Sequence, residues 1–186
     1  MPAPVDSMKW QRLLCWLLFV APIGGCASPK IGYDFDRSVN FSAYHAYGWI
    51  PGAQEATGDR RLDNSLIDAR IRTAIDTQLR SKGYVATAHG TPEFLVAYHV
   101  GMKDQIRGSS TQRYIGDRAH GTYTTLSDIQ PYKEGTLLID IVDAASKRLV
   151  WQASASAEVE EGVTPKERDK RINGIIRAML SHFPPN

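Results

Sequence analysis

Cysteine is nearly absent from this chain, with two in 186 residues, Cys15 and Cys26. That excludes a disulfide-stapled scaffold and a thiolate metal site. A membrane-spanning run is lacking too. Such a helix needs about 20 apolar residues, whereas the apolar run at 13–21 has nine. No excess of one charge exists either: 22 Lys+Arg against 20 Asp+Glu leave a net +2, far from the basic footprint of a nucleic-acid binder. The familiar catalytic signatures are missing: no G-x-S-x-G, H-E-x-x-H, phosphate-cradling glycine loop or C-x-x-C occurs. What remains is ordinary globular composition, 42% apolar and 23% charged, with enough length for one domain that needs no metal or staple.

The amino terminus carries the strongest local signal. Lys9 and Arg12 precede the apolar run, and Pro22, Ile23, Gly24 and Gly25 lead into Cys26. A basic start, a short apolar core and small residues before a cut are the parts of an export signal. Ile23-Gly24-Gly25-Cys26 resembles a bacterial lipobox, whose cysteine takes up diacylglycerol and becomes the first residue after cleavage. The competing readings are a buried helix of the domain and a Cys15–Cys26 disulfide. Met8 is as good a start as Met1, since the signal is complete from there. We therefore expect a lipoprotein signal peptide at 1–25, lipidation of Cys26, a tether at 26–30 and one domain at 31–186. The Ala27 that follows resembles the residue after the cysteine in lipoproteins passed to the outer membrane. The tether keeps the domain within roughly 17 Å of the lipid, at about 3.3 Å per residue. Without residues 1–25, the 22 basic and 20 acidic residues become 20 and 19.

The rest predicts an α+β fold. Ile31, Tyr33 and Phe35 alternate with polar residues as a first strand, and Tyr47-Gly48-Trp49 forms a second. A helix is expected at 63–82, capped by Asp63 and ended by Gly83, with Ile67, Ile71, Ala74, Ile75 and Leu79 as its apolar stripe. Its Asp68–Arg72 and Asp76–Arg80 pairs read as a wet face. Phe94 to Met102 alternate as a strand, while 103–121 reads as a long loop or loose hairpin, with a returning strand at 122–129 and Pro131 on an edge. A hairpin through Ala144–Lys147 follows, and Leu149, Trp151, Ala153, Ala155 and Ala157 share one face; the alanines suggest a helix packed tightly across it. Thr164-Pro165-Lys166-Glu167 opens a final helix as a capping box. Together these predict a two-layer sandwich, a mostly antiparallel sheet with two amphipathic helices on one face.

The segments LDNSLIDARIRTAIDTQLRSKGY, PEFLVAYHVG, EGTLLIDIVDAASKRLVWQASASAEV, SHFPP and YDFDRSVNFSAYHAYGWI resemble the bacterial lipoprotein family called domain of unknown function 4136, over nearly all of 31–185. The resemblance implies a lipid-anchored envelope protein and transfers no catalytic residues. No part of it matches residues 103–130.

Few side chains suggest chemistry. Asp34 and Asp36 lie two apart on a strand, where paired carboxylates serve acid/base or calcium chemistry, or simply face water. A His99–Asp140 contact would make a dyad if the two lie within hydrogen-bond reach. Lys166, Lys170 and Arg177 share the outer side of the last helix and could face lipid headgroups. Arg107, Arg113, Tyr114 and Arg118 in the 104–121 loop, with Trp49, are the binding candidates. The expected function is non-catalytic binding of another envelope component, without cofactor, metal or nucleic acid, on the periplasmic side of the outer membrane. The alternatives are an envelope-polymer hydrolase and a small-ligand or lipid carrier. An apolar cavity would favour the carrier, a deep pocket of ionisable groups the enzyme, and a flat or grooved surface the partner binder.

Overall fold

A computed structural model describes residues 29–52, 57, 59, 62–87, 90–116, 122–160 and 162–185. The predicted signal peptide, Cys26, His89, Arg118 and His120 lie outside the described residues. Six strands and two helices follow in the order β1 (Lys30–Phe35), β2 (Ala46–Trp49), α1 (Ser65–Ser81), β3 (Val85–Ala86), β4 (Phe94–Ile115), β5 (Thr122–Asp143), β6 (Leu149–Glu158) and α2 (Pro165–Leu180). They build an α+β fold around one sheet of order β1-β6-β5-β4-β2-β3. The sheet is mixed. The β1–β6, β6–β5 and β5–β4 ladders are antiparallel, but β2 runs parallel to both β3 and β4. Strand-by-strand alternation reports which face is buried and is blind to strand direction, so the parallel edge was not readable.

Helix boundaries follow local chemistry. Asn64, not Asp63, caps α1: its side chain accepts the Leu66 and Ile67 amides, both at 3.1 Å. Asp63 instead accepts the Thr57 amide and hydroxyl. Gly83 ends the helix at φ +91°, a left-handed conformation that a Cβ would strain. The Thr164–Glu167 capping box starts α2 as expected, with Pro165 in its first turn.

The two helices and the sheet share one apolar core. Ile71, Ala74, Ile75 and Leu79 of α1 and Ile176, Met179 and Leu180 of α2 meet Val96, Tyr98, Ile139, Ile141, Trp151 and Ala153. Phe183, just past α2, is fully buried. Its ring centroid lies 5.2 Å from that of Trp151, 5.5 Å from Tyr84, 5.7 Å from Phe94 and 5.9 Å from Phe41. A bulge between Ile141 and Val142 places Leu149 opposite Val142 and Trp151 opposite Ile141. The extra residue, Val150, is therefore buried while Leu149 is 48% exposed, which displaces Leu149 from the predicted inward row.

Of the two expectations for residues 103–121, a long loop or a loose hairpin, the described residues form the hairpin, and it is regular where a loose one was expected. Residues 103–115 and the returning strand are the outer half of a long hairpin whose strands β4 and β5 have 22 residues each, paired without interruption from Phe94↔Asp143 to Ile115↔Thr122. Pairing between β5 and β6 ends at Glu134↔Glu158. Beyond that level β4 and β5 continue as a two-stranded arm, on which Pro131 sits at an open edge as its missing amide requires. With neither face of the arm buried, selection for alternation is absent, and that alternation is the signal a sequence reading uses.

Candidate functional site: an apolar cleft at the base of the arm

Three features of the sequence converge where the arm leaves the sheet. Small residues, Gly135, Ala155 and Ala157, keep the floor low, and Val100, Met102 and Leu137 extend it. The first turns of α1 supply one wall through Leu66, Ile67 and Ile71, and α2 supplies the other through Ile172 and Ile175. The result is a cleft of about 710 Å³, within the roughly 300–1,000 Å³ typical of ligand sites. The alanine row is therefore covered over part of its length and open over the rest. Ala153 and Ala155 are buried, but around Ala157 the helices leave the sheet uncovered and the small side chains make room.

Arg70, Arg168 and Arg171 line the cleft together with Glu158, Glu160 and Glu167. These charges are largely committed. Arg70 bonds Asp169 at 2.6 Å and so ties α1 to α2. Arg171 pairs with Glu160. Glu167 accepts the Thr164 amide and hydroxyl, which hold its carboxyl below the usual range. Three cations against three anions leave the lining neutral overall, and its interior is hydrocarbon.

The predicted binding residues do not gather into one surface. Arg107, on β4, donates to Glu158 at 2.9 Å and lies 4.8 Å over the Tyr132 ring, so it braces the arm against the end of β6. Arg113 is exposed near the arm's end, and Tyr114 packs against Tyr123 with centroids 5.2 Å apart. Trp49 is remote from all of them. It pairs with Val96, a point on β4 roughly 60 Å from Tyr114 at about 3.3 Å per residue. Its indole donates to Asp76 at 3.2 Å, and the Arg72 guanidinium lies 4.5 Å over its ring. The α1 carboxylates also depart from the predicted wet face. Asp76 accepts the Tyr47 hydroxyl at 2.7 Å and Asp68 that of Tyr98, while both keep their arginine partners. These acids satisfy core tyrosines. Lys166, Lys170 and Arg177 are all exposed, as their spacing predicted.

The acid candidates resolve in opposite directions. Asp34 and Asp36 take different partners, and Asp34 accepts the Phe35 amide at 2.9 Å. Asp36 lies past the end of β1, where the Ser38 hydroxyl and amide and Arg148 hold it below the usual carboxylate range. Asp140 and His99 do come together, with His99 Nε2 3.4 Å from Asp140 Oδ2, and Gln152 donates to the other carboxylate oxygen at 2.8 Å. Asp140 lies in register with Ala97 and Gln152, between the inward-facing Ile139 and Ile141, so the pair sits on the sheet face opposite the core. Among the described residues no hydroxyl bonds to His99 and no charged side chain is buried. The dyad has reach, but neither residue lines the cleft, and no cluster of metal ligands occurs among the described residues.

Several carboxylates set the pH response. Ser146 holds Asp143 low, and the Ala46 and His45 amides hold Glu93 low. Burial raises Asp68, but the Tyr98 hydroxyl and Arg72 outweigh it. Groups whose folded pKa is depressed contribute stability above their unfolded pKa and lose it as pH falls through the folded value. The urea midpoint should therefore be level from about pH 5 to 7 and decline below about pH 4, where unfolded Asp and Glu begin to protonate. Urea titrations across that range measure it, and a midpoint unchanged at pH 3 would contradict the assignment.

Comparison with known proteins gives a fold and a family. No curated protein matches the sequence. The structure of a PDZ domain protein from Parabacteroides distasonis is similar at a TM-score of 0.55 and 14% identity, covering 84% of this chain but 35% of that one. This chain thus spans about a third of that protein, and the likeness is one of fold. A PelC dodecamer from Paraburkholderia phytofirmans is more distant, at a TM-score of 0.47 and 10% identity, covering 83% of this chain and 95% of that one. The family described as Domain of unknown function (DUF4136) matches residues 31–185, from the second residue of β1 to beyond Phe183. Its span takes in every strand and both helices, with the cleft and the arm between them; the chain belongs to that family.

Proposed function

We propose that this chain is a non-catalytic, lipid-anchored envelope protein that binds another envelope component beside the membrane, with the arm as its contact. The arm carries the proposal. On it Ile106 is 73% exposed, Tyr123 70% and Ile129 67%. A two-stranded ribbon standing free in water is marginal, and apolar side chains gathered on one mark an interaction surface. Register adds direction. Lys30 pairs with Ser156, Ser156 with Thr136 and Thr136 with Gly101, so the tether leaves the domain at the level where the arm begins. From Gly101 to Ile115 the arm runs roughly 46 Å at about 3.3 Å per residue, longer than the tether. A body held so short brings its arm to the bilayer or to whatever lies upon it. In this reading the sheet and helices form a two-layer sandwich, with both helices on the face opposite His99 and Asp140. The protein lies on the periplasmic side of the outer membrane.

A photoreactive amino acid at Ile129 should give a discrete protein adduct in intact cells. Replacing residues 104–131 by a tight turn should abolish partner association in co-purification while leaving the urea midpoint of the remaining domain in place. Diffuse labelling, or partner association that survives loss of the arm, would refute the proposal.

The cleft favours a second reading, a carrier for a small apolar ligand. The hydrolase alternative has less support, because the acid/base pair it would use, His99 and Asp140, sits on the sheet face opposite the core.

A further inference from the structure

The cleft raises the question of what hydrocarbon it holds, and the geometry of β1 supplies an answer within the chain itself. β1 runs antiparallel to β6, and Lys30 stands opposite Ser156. Pro29, the residue before Lys30, therefore continues β1 toward the level of Ala157, which lines the cleft. Cys26 is four positions before Lys30, at most roughly 14 Å of extended chain. Its sulfur can thus stand at the mouth of the cleft without any movement of the domain.

We propose that the cleft shelters one of the acyl chains carried by Cys26. The inference rests on the lipid-anchored reading above and adds the ligand's identity: a neutral alkyl chain, presented from within. The lining suits that occupant. Leu66, Ile71, Val100, Leu137, Ile172 and Ile175 offer hydrocarbon. The arginines at the rim are matched by glutamates, so no net charge selects an ionic headgroup. Volume agrees as well, since about 710 Å³ is a ligand-sized space and exceeds any packing defect a well-packed interior tolerates. Anchoring survives the diversion. One acyl chain holds a protein only marginally and two hold it stably, so a triacylated Cys26 can place one chain in the cleft and keep two in the bilayer. The consequence is a fixed posture: the base of the arm, which shares Val100 and Met102 with the cleft, is held against the lipid surface and not left to swing on the tether.

The test uses the full lipidated chain in intact cells. Leu66 lines the cleft yet is 66% exposed, so a benzoylphenylalanine there leaves the core untouched. Irradiation followed by peptide mass spectrometry should join position 66 to the acyl group of the Cys26 peptide of the same chain. The same probe at Ile129 should not make that link, and Ala157→Trp, which fills the floor, should abolish it. The uncrosslinked Cys26 peptide is weighed in the same run. If it carries lipid while position 66 joins a phospholipid, another chain or nothing, self-occupancy is wrong and the anchor stands. If it carries no lipid, the anchor itself is wrong and this proposal goes with it.

Discussion

Cys26→Ser should remove the protein from the outer-membrane fraction, and the same domain exported by a signal with no lipid-accepting cysteine should be recovered in the soluble periplasm. The effect should be near total. Each buried methylene contributes about 0.8 kcal/mol, and two or more chains acting together make attachment stable where one is only marginal. No helix among the described residues is long and apolar enough to cross a membrane. The exposed cations Lys166, Lys170 and Arg177 add about 1 kcal/mol each at best against anionic lipid. Fractionation of the two forms beside the parent decides the matter. Identical membrane recovery for all three would refute the anchor.

Phe183→Ala should destabilise the domain by about 3–5 kcal/mol, toward the top of the range for large-to-small core changes. The residue closes the apolar stripe that helical spacing predicts from Ile172 through Ile176 and Leu180, and it is buried as that stripe requires. In the structure its ring has no exposure and is surrounded by Phe41, Tyr84, Phe94 and Trp151. Losing it opens a cavity and also removes aromatic contacts that each contribute about 0.5–1.5 kcal/mol beyond area. The neighbouring backbone is held too, since the Trp151 indole donates to the His182 carbonyl at 3.2 Å. Phe183→Leu, which keeps much of the volume, should cost distinctly less. Urea denaturation of both variants measures the difference, and a loss below about 1 kcal/mol for the alanine variant would show that the cluster relaxes around the gap.

These two predictions draw on opposite kinds of information. The expectation at Cys26 is wholly local: a thiol, small neighbours, a short apolar run and two cations are contiguous and recognisable without a fold. Local physics also produced the elements. The stripe from Ile67 to Leu79, the Thr164 capping box and the left-handed Gly83 all appear in the structure where spacing placed them. Even the His99–Asp140 contact follows from strand alternation once the two strands are neighbours.

Long-range pairing decided the rest. Strand direction at β2 leaves no trace in its four residues, so the parallel edge emerged only with the sheet. The arm is made of serine, threonine, glutamine, tyrosine and isoleucine without burial on either side, and a ribbon with no inside has no pattern to betray it. Asp68 and Asp76 look solvated along α1 because helical spacing cannot report that Tyr98 and Tyr47 reach up from the sheet. The cleft is the strongest case. An alanine row is equally compatible with a helix pressed close and with a space left open, and which occurs depends on how two helices diverge above it. The sequence by itself determined the elements and their buried faces, because each depends on residues a few positions apart, and the expectation of an anchor at Cys26 rests on the same kind of local pattern. The arm, the cleft and their common placement at the end of the sheet where β1 begins came only with tertiary structure, because they depend on which distant strands share a register.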